Sequence, residues 1–176
     1  MAAVVVTNSA GGATSSTASL TVNPAANVTM GETNVMPSDD NGNANLLLAQ
    51  KTTLTQGGTL QSLSFYVTQA AGSLVLGVYD ASGPNGGPGK LLAQTSSFTP
   101  VVGWNTANVI TPVHLAPGTY WLAYLPSDNN LHFRVDRTSG TLEWYSFAFG
   151  SMASTFSTTP NIETGHWSLY ATLIPG

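Results

Sequence analysis

The sequence predicts an all-β fold, an antiparallel β-sandwich with little or no helix. Nine short segments alternate apolar and polar residues between stretches of Gly, Pro and Asn. No window repeats apolar residues at helical spacing. Length sets the scale: 176 residues suffice for one well-filled core, and about 150 of them, a common single-domain size, lie beyond the opening segment.

Residues 4–22 read as two strands joined by a Gly-containing turn. Asn23-Pro24-Ala25-Ala26-Asn27 breaks the alternation and reads as a linker. The expected organisation is therefore a hairpin over 1–22, a linker over 23–27 and a sandwich domain over 28–176. In that domain strands are expected over 45–53, 59–68, 72–79, 90–98, 106–113, 118–125, 131–135, 142–148 and 166–174. The apolar members of the alternation, Leu60, Leu63, Phe65, Val67, Leu74, Leu76, Val78, Leu91, Leu92, Val109, Ile110, Leu115, Leu122, Leu169 and Leu173, form the expected core. Residues 81–89, rich in Gly and Pro, cannot sustain a strand or helix and are expected as an exposed loop. Trp121 and Trp167 stand in apolar strands beside small residues and are assigned to the core. Trp104, after Val102-Gly103, either caps one end of the fold or sits at a loop tip.

Composition limits function. Only 7% of residues are charged, against roughly 25% in an average soluble domain, so hydroxyls and amides make the surface. Four Lys and Arg against eight Asp and Glu, a net charge of −4, leave no cationic stripe for phosphates. That argues against nucleic acid and membranes as partners. The absence of Cys excludes disulfides, thiolate metal sites and Cys nucleophiles. No apolar run approaches the ~20 residues needed to cross a bilayer, and Met1-Ala2-Ala3 lacks the basic start and apolar centre of a signal peptide. The expected setting is secreted or cell-surface, with any export signal outside this chain, and the expected state is a monomer.

Two segments carry resemblances. The run Val4-Val5-Val6-Thr7-Asn8 with Gly11-Gly12-Ala13 and Leu20-Thr21-Val22 resembles the closing hairpin of a bacterial immunoglobulin-like repeat. That resemblance implies a slice of a longer modular protein, with neighbouring domains of the parent chain as partners. Val78-Tyr79-Asp80, Gly89-Lys90-Leu91-Leu92-Ala93, Trp104-Asn105-Thr106 and Leu115-Ala116-Pro117-Gly118-Thr119-Tyr120-Trp121 resemble the jelly-roll sandwich modules appended to secreted bacterial polysaccharide-degrading enzymes and surface proteins. The resemblance implies the sandwich more firmly than it implies sugar binding.

A glycan site needs a flat aromatic face for the C–H patches of a sugar ring, with amides, carboxylates or guanidinium groups at its edge for the hydroxyls. Trp144 and Tyr145 are adjacent, so on a strand they face opposite sides. The segment 131–136 puts Leu131, Phe133 and Val135 inward and His132, Arg134 and Asp136 outward. Trp144 and Tyr145 as platform, with His132, Arg134, Asp136 and Asp128 bonding hydroxyls, make the expected polysaccharide site. Structural packing and a solvated ion pair are the alternative reading of the same residues.

Asp39, Asp40, Asn41 and Asn43 around Gly42, with Glu32 completing the shell, offer the oxygen ligands a structural Ca²⁺ takes, although the spacing is not that of an EF-hand loop. A polar turn bonding its own backbone is the alternative. For catalysis, His114, His132 and His166 show no metal spacing and no Gly-x-Ser-x-Gly elbow is present. Glu143 with Glu163 or Asp136 is the carboxylate pair to test for glycoside hydrolysis. The expectation is a non-catalytic polysaccharide-binding module; the alternative is a structural spacer or adhesion module without a small-ligand site.

Overall fold

The structure, a computed structural model, describes residues 5–14 and 26–176. Strands β1 (Val5–Asn8) and β2 (Gly11–Thr14) pair antiparallel, Val5 opposite Thr14. The Asn8 side chain accepts the Ala10 N–H at 2.9 Å and closes the turn. The rest of the expected hairpin and residues 23–25 of the expected linker lie outside the described residues.

From Val28 onward the chain is an antiparallel β-sandwich, compatible with a jelly-roll. Its strands are β3 (Val28–Gly31), β4 (Ser38–Asp40), β5 (Leu46–Leu54), β6 (Gly58–Gln69), β7 (Leu74–Asp80), β8 (Leu91–Gln94), β9 (Gly103–Leu115), β10 (Gly118–Pro126), β11 (His132–Asp136), β12 (Leu142–Ser146), β13 (Asn161–Glu163), β14 (His166–Trp167) and β15 (Leu169–Pro175). One sheet runs β13-β12-β5-β10-β7-β8. The other runs β14-β11-β6-β15-β3, with β4 added on β11 and β9 on β6. No helix among the described residues is long and apolar enough to cross a membrane.

The two inner faces meet in one core. Leu48, Leu76, Val78 and Leu122 from the six-stranded sheet face Leu63, Val67, Val135 and Leu169 from the other, all buried. Tyr124 is the aromatic hub: its ring stacks on Phe65 at 4.8 Å and meets Phe133 and Trp167 edge-on at 5.2 and 4.8 Å.

The six-stranded sheet is also covered on its outer face. Leu47, Ala49, Val75, Tyr79, Trp121, Ala123 and Leu125 point outward, yet are buried beneath a flap that includes Met152 and Phe156. Hence Leu74-Val75-Leu76-Gly77-Val78-Tyr79 and Trp121-Leu122-Ala123-Tyr124-Leu125 are continuously buried, the pattern of a strand covered on both sides. The Tyr79 hydroxyl donates to the Ala153 carbonyl at 2.7 Å, and the Phe156 N–H to Gly89 O at 2.8 Å. The flap closes tightly over β7 at Gly77, where a Cβ would meet Met152 Sδ and the thioether would have to shift.

Three expectations are corrected. Ile110 is 61% exposed, since β9 turns Asn105 and Val109 inward and Ile110 follows on the opposite phase; Leu91 and Leu92 are only half-buried. The 81–89 loop is not wholly exposed: it contains a 3-10 turn at Pro84–Gly86, and Gly87, Pro88 and Gly89 are buried. The expected strand over 166–174 is broken at Ser168 into β14 and β15.

That break organises the sandwich. Ser168 is fully buried, donates its N–H to Arg134 O and accepts Tyr66 N–H at its carbonyl, so the chain passes there from pairing β11 to pairing β6. Gln50 reaches across from the opposite sheet. Its Oε1 accepts the Trp167 N–H at 2.6 Å and its Nε2 donates to Leu169 O at 3.2 Å. Gln50→Leu keeps the volume but leaves the buried Trp167 N–H without its partner, the Leu169 carbonyl keeping only the Glu32 N–H, and should lower stability by about 2 kcal/mol in urea unfolding with an unchanged m-value. A variant as stable as the parent would remove Gln50 as the pin.

Candidate functional site

The outward positions of the seven-stranded sheet make a continuous surface. On β6 these are Ser62, Ser64, Tyr66 and Thr68, since Leu63, Phe65 and Val67 point into the core. Cross-strand pairing places Trp104 opposite Tyr66, and both Thr106 and Tyr170 opposite Ser64. The indole of Trp104 meets Tyr66 at 5.3 Å and 75° and Tyr170 at 5.0 Å and 66°, joining the rings across three strands. All three are half-buried. Beneath them the Ser64 and Thr106 hydroxyls are 2.7 Å apart.

A polar row adjoins the rings on the same face. Thr68 donates to Asp39 Oδ1 at 2.7 Å, and His132 Nδ1 lies 2.7 Å from Asp39 Oδ2. Arg134 pairs with Asp39 in register and donates from Nη1 to Pro37 O at 3.2 Å. Partial burial pushes the Asp39 carboxyl up, but the Thr68 and His132 hydrogen bonds and the His132 and Arg134 charges outweigh it, holding Asp39 below its ordinary value. Aromatic faces bordered by a carboxylate, a guanidinium, an imidazole and hydroxyls can stack on the apolar side of a sugar ring and bond its hydroxyls as donor and acceptor.

The sequence-predicted residues are divided by this arrangement. His132 and Arg134 stand in the polar row, joined by Asp39, which was expected as a metal ligand. Asp136 and Asp128 are turn residues: Asp136 accepts Thr138 N–H and hydroxyl at 2.8 and 2.6 Å, and Asp128 accepts Asn130 N–H at 2.8 Å. Trp144 belongs to the other sheet. It faces inward, half-buried against the core, while Tyr145 turns to the flap and meets Phe156 at 4.8 Å. Neither is fully exposed. Tyr66, Trp104 and Tyr170 were not selected from the sequence, although each occupies the polar phase of its strand, as in Ser62-x-Ser64-x-Tyr66-x-Thr68.

The five expected metal ligands are divided: Asp40, Asn41 and Asn43 line one cleft at the end of the sandwich, whereas Asp39 and Glu32 are bonded elsewhere. Asp39 and Asp40 are successive strand residues: Asp39 bonds Thr68 and His132, whereas Asp40 bonds Arg137 and the Trp167 indole. Glu32 accepts Asn34 N–H at 2.7 Å. Among the described residues no group of His, Asp and Glu has the geometry to hold a metal ion. The carboxylates weighed for hydrolysis are equally dispersed. Glu163 lies opposite Leu142 on the inner side of its sheet, Glu143 opposite Ile162 on the outer side, and Asp136 on the second sheet.

No protein-family model and no curated protein matches this chain. The functional reading therefore rests on the geometry.

Glu143 is nearly buried beside Gly87, whose Cβ, if present, would stand 3.0 Å from Glu143 Oε1. Burial raises its carboxyl above the ordinary value of 4.5, and Lys51 offsets part of the rise. A raised folded-state value means that the stabilising contribution is present below the unfolded value and is lost as pH rises through the folded one. Glu143→Gln should therefore be more stable than the parent at about pH 7, with the gain shrinking toward about pH 4 in thermal or urea unfolding. A loss of stability at neutral pH would contradict the burial cost.

Proposed function

We propose that this chain is a non-catalytic polysaccharide-binding module of a secreted or cell-surface protein, and that the outer face of the seven-stranded sheet is its contact surface. The observation that carries the reading is the row Tyr66, Trp104 and Tyr170 beside Thr68, Asp39, His132 and Arg134 on one face. An open face suits a chain better than a small molecule, and each sugar ring adds a modest increment through stacking and hydroxyl contacts. The scarcity of charge, 7% of residues, fits a neutral polyhydroxylated ligand. Thr106 is exposed beside the rings and extends the hydroxyl-bearing surface.

The deciding experiment is retention on a panel of insoluble and soluble polysaccharides. Trp104→Ala, with the fold verified by circular dichroism, should weaken retention by about tenfold, the scale of one lost aromatic stack with its buried area. Tyr66→Ala should act in the same direction. Undiminished retention in both variants would rule out this surface, and a folded parent that binds nothing on the panel would leave the spacer or adhesion reading.

A further inference from the structure

At one end of the sandwich, where β4, β5, β12, β13 and β14 come together, a half-open cleft of about 300 Å³ enters between the sheets. Asp40, Asn41, Asn43, Arg137, Trp144 and Glu163 line it, and the core residues Leu48 and Leu142 close its inner end. Its polar groups are already fixed. Asp40 Oδ1 accepts from Arg137 at 2.8 Å and Oδ2 from the Trp167 indole at 3.1 Å. The Trp144 indole N–H donates to Glu163 Oε1 at 2.9 Å, while Glu163 Oε2 stands 3.8 Å from Arg137 Nη1. Asn43 donates to the buried Tyr124 hydroxyl at 2.9 Å.

We infer that this cleft is a second binding site, which takes the terminal residue of a neutral glycan; the inference rests on the polysaccharide reading and deepens it. Four features select that ligand. The half-buried Trp144 ring offers an apolar face to one side of a sugar ring. Carboxylates that accept stand beside a guanidinium and amides that donate, so hydroxyls are bonded in both senses. Two carboxylates against one guanidinium disfavour a uronate or phosphate. The closed inner end admits the end of a chain and not a chain running through.

Saturation-transfer NMR with methyl glycosides of neutral hexoses and pentoses, and with the matching methyl uronates, tests this. The neutral glycosides should give signal and the uronates none. Arg137→Met, at a half-exposed side chain, should weaken binding by about tenfold or more, the scale of a lost charge-assisted hydrogen bond. Trp144→Ala should do the same, whereas Trp104→Ala should leave glycoside binding intact while reducing retention on polymer. Absence of signal from every neutral glycoside, equal signal from the uronates, or unchanged binding in both Arg137→Met and Trp144→Ala would overturn the cleft. If Trp104→Ala retains polymer fully while Arg137→Met loses the glycoside, the cleft stands and the outer-face reading fails.

Discussion

The buried amide of Gln50 is the contact on which the arrangement of this molecule turns. The final strand cannot pair with β11 and β6 along one straight line, so it breaks at Ser168, and the break takes the Trp167 N–H off the regular ladder, while the Leu169 carbonyl still accepts the Glu32 N–H at 2.9 Å. A buried donor or acceptor without a partner costs on the order of 1–3 kcal/mol. Gln50, projecting from the opposite sheet, supplies the partner of the Trp167 N–H and adds a second donor to the Leu169 carbonyl from the same side chain. The same contact fixes the spacing of the sheets and places the Trp167 indole where it can bond Asp40.

From that pin follows the different character of the two faces. β11 fits between β4 and the broken strand, and its outward residues His132 and Arg134 are brought alongside Tyr66. The opposite sheet gives its outer face to the flap, through Tyr79, Trp121, Met152 and Phe156. Buried aromatic area on that side stabilises the fold, while the rings on the other side keep part of their surface in water.

The sandwich was legible because alternation with Gly and Pro punctuation is the direct imprint of pleated strands; β5, β6, β7 and β10 fall within two residues of their expected limits. Short strands such as β3, β4 and β13 escaped, since three or four residues carry too little periodicity. The flap escaped because nothing local in residues 147–156 announces which surface it covers. It is betrayed only by the continuous apolar runs of β7 and β10. Of the residues expected from the sequence at a glycan site, His132 and Arg134 stand on the face proposed here as the contact surface. The sequence directed attention to Trp144 and Tyr145 because adjacent aromatics are conspicuous, whereas the rings sharing that face come from three strands distant in sequence. Their mark was parity: Tyr66, Trp104 and Tyr170 keep phase with Ser and Thr.

The strand lengths have a consequence for colloidal behaviour. An open sheet edge invites another chain to add to it, and soluble proteins commonly guard such edges with Lys or other charge. This chain has little charge to spend there, and it relies on shape. β3, β8 and β13 are only three or four residues long, too short to template a growing ribbon. Among the described residues the long border strand β9 is distorted by a bulge in its pairing with β6 and is bridged to the opposite sheet between Val109 and Thr95. Among the described residues, what these borders oppose to strand addition is interruption and not charge, a guard that salt does not screen.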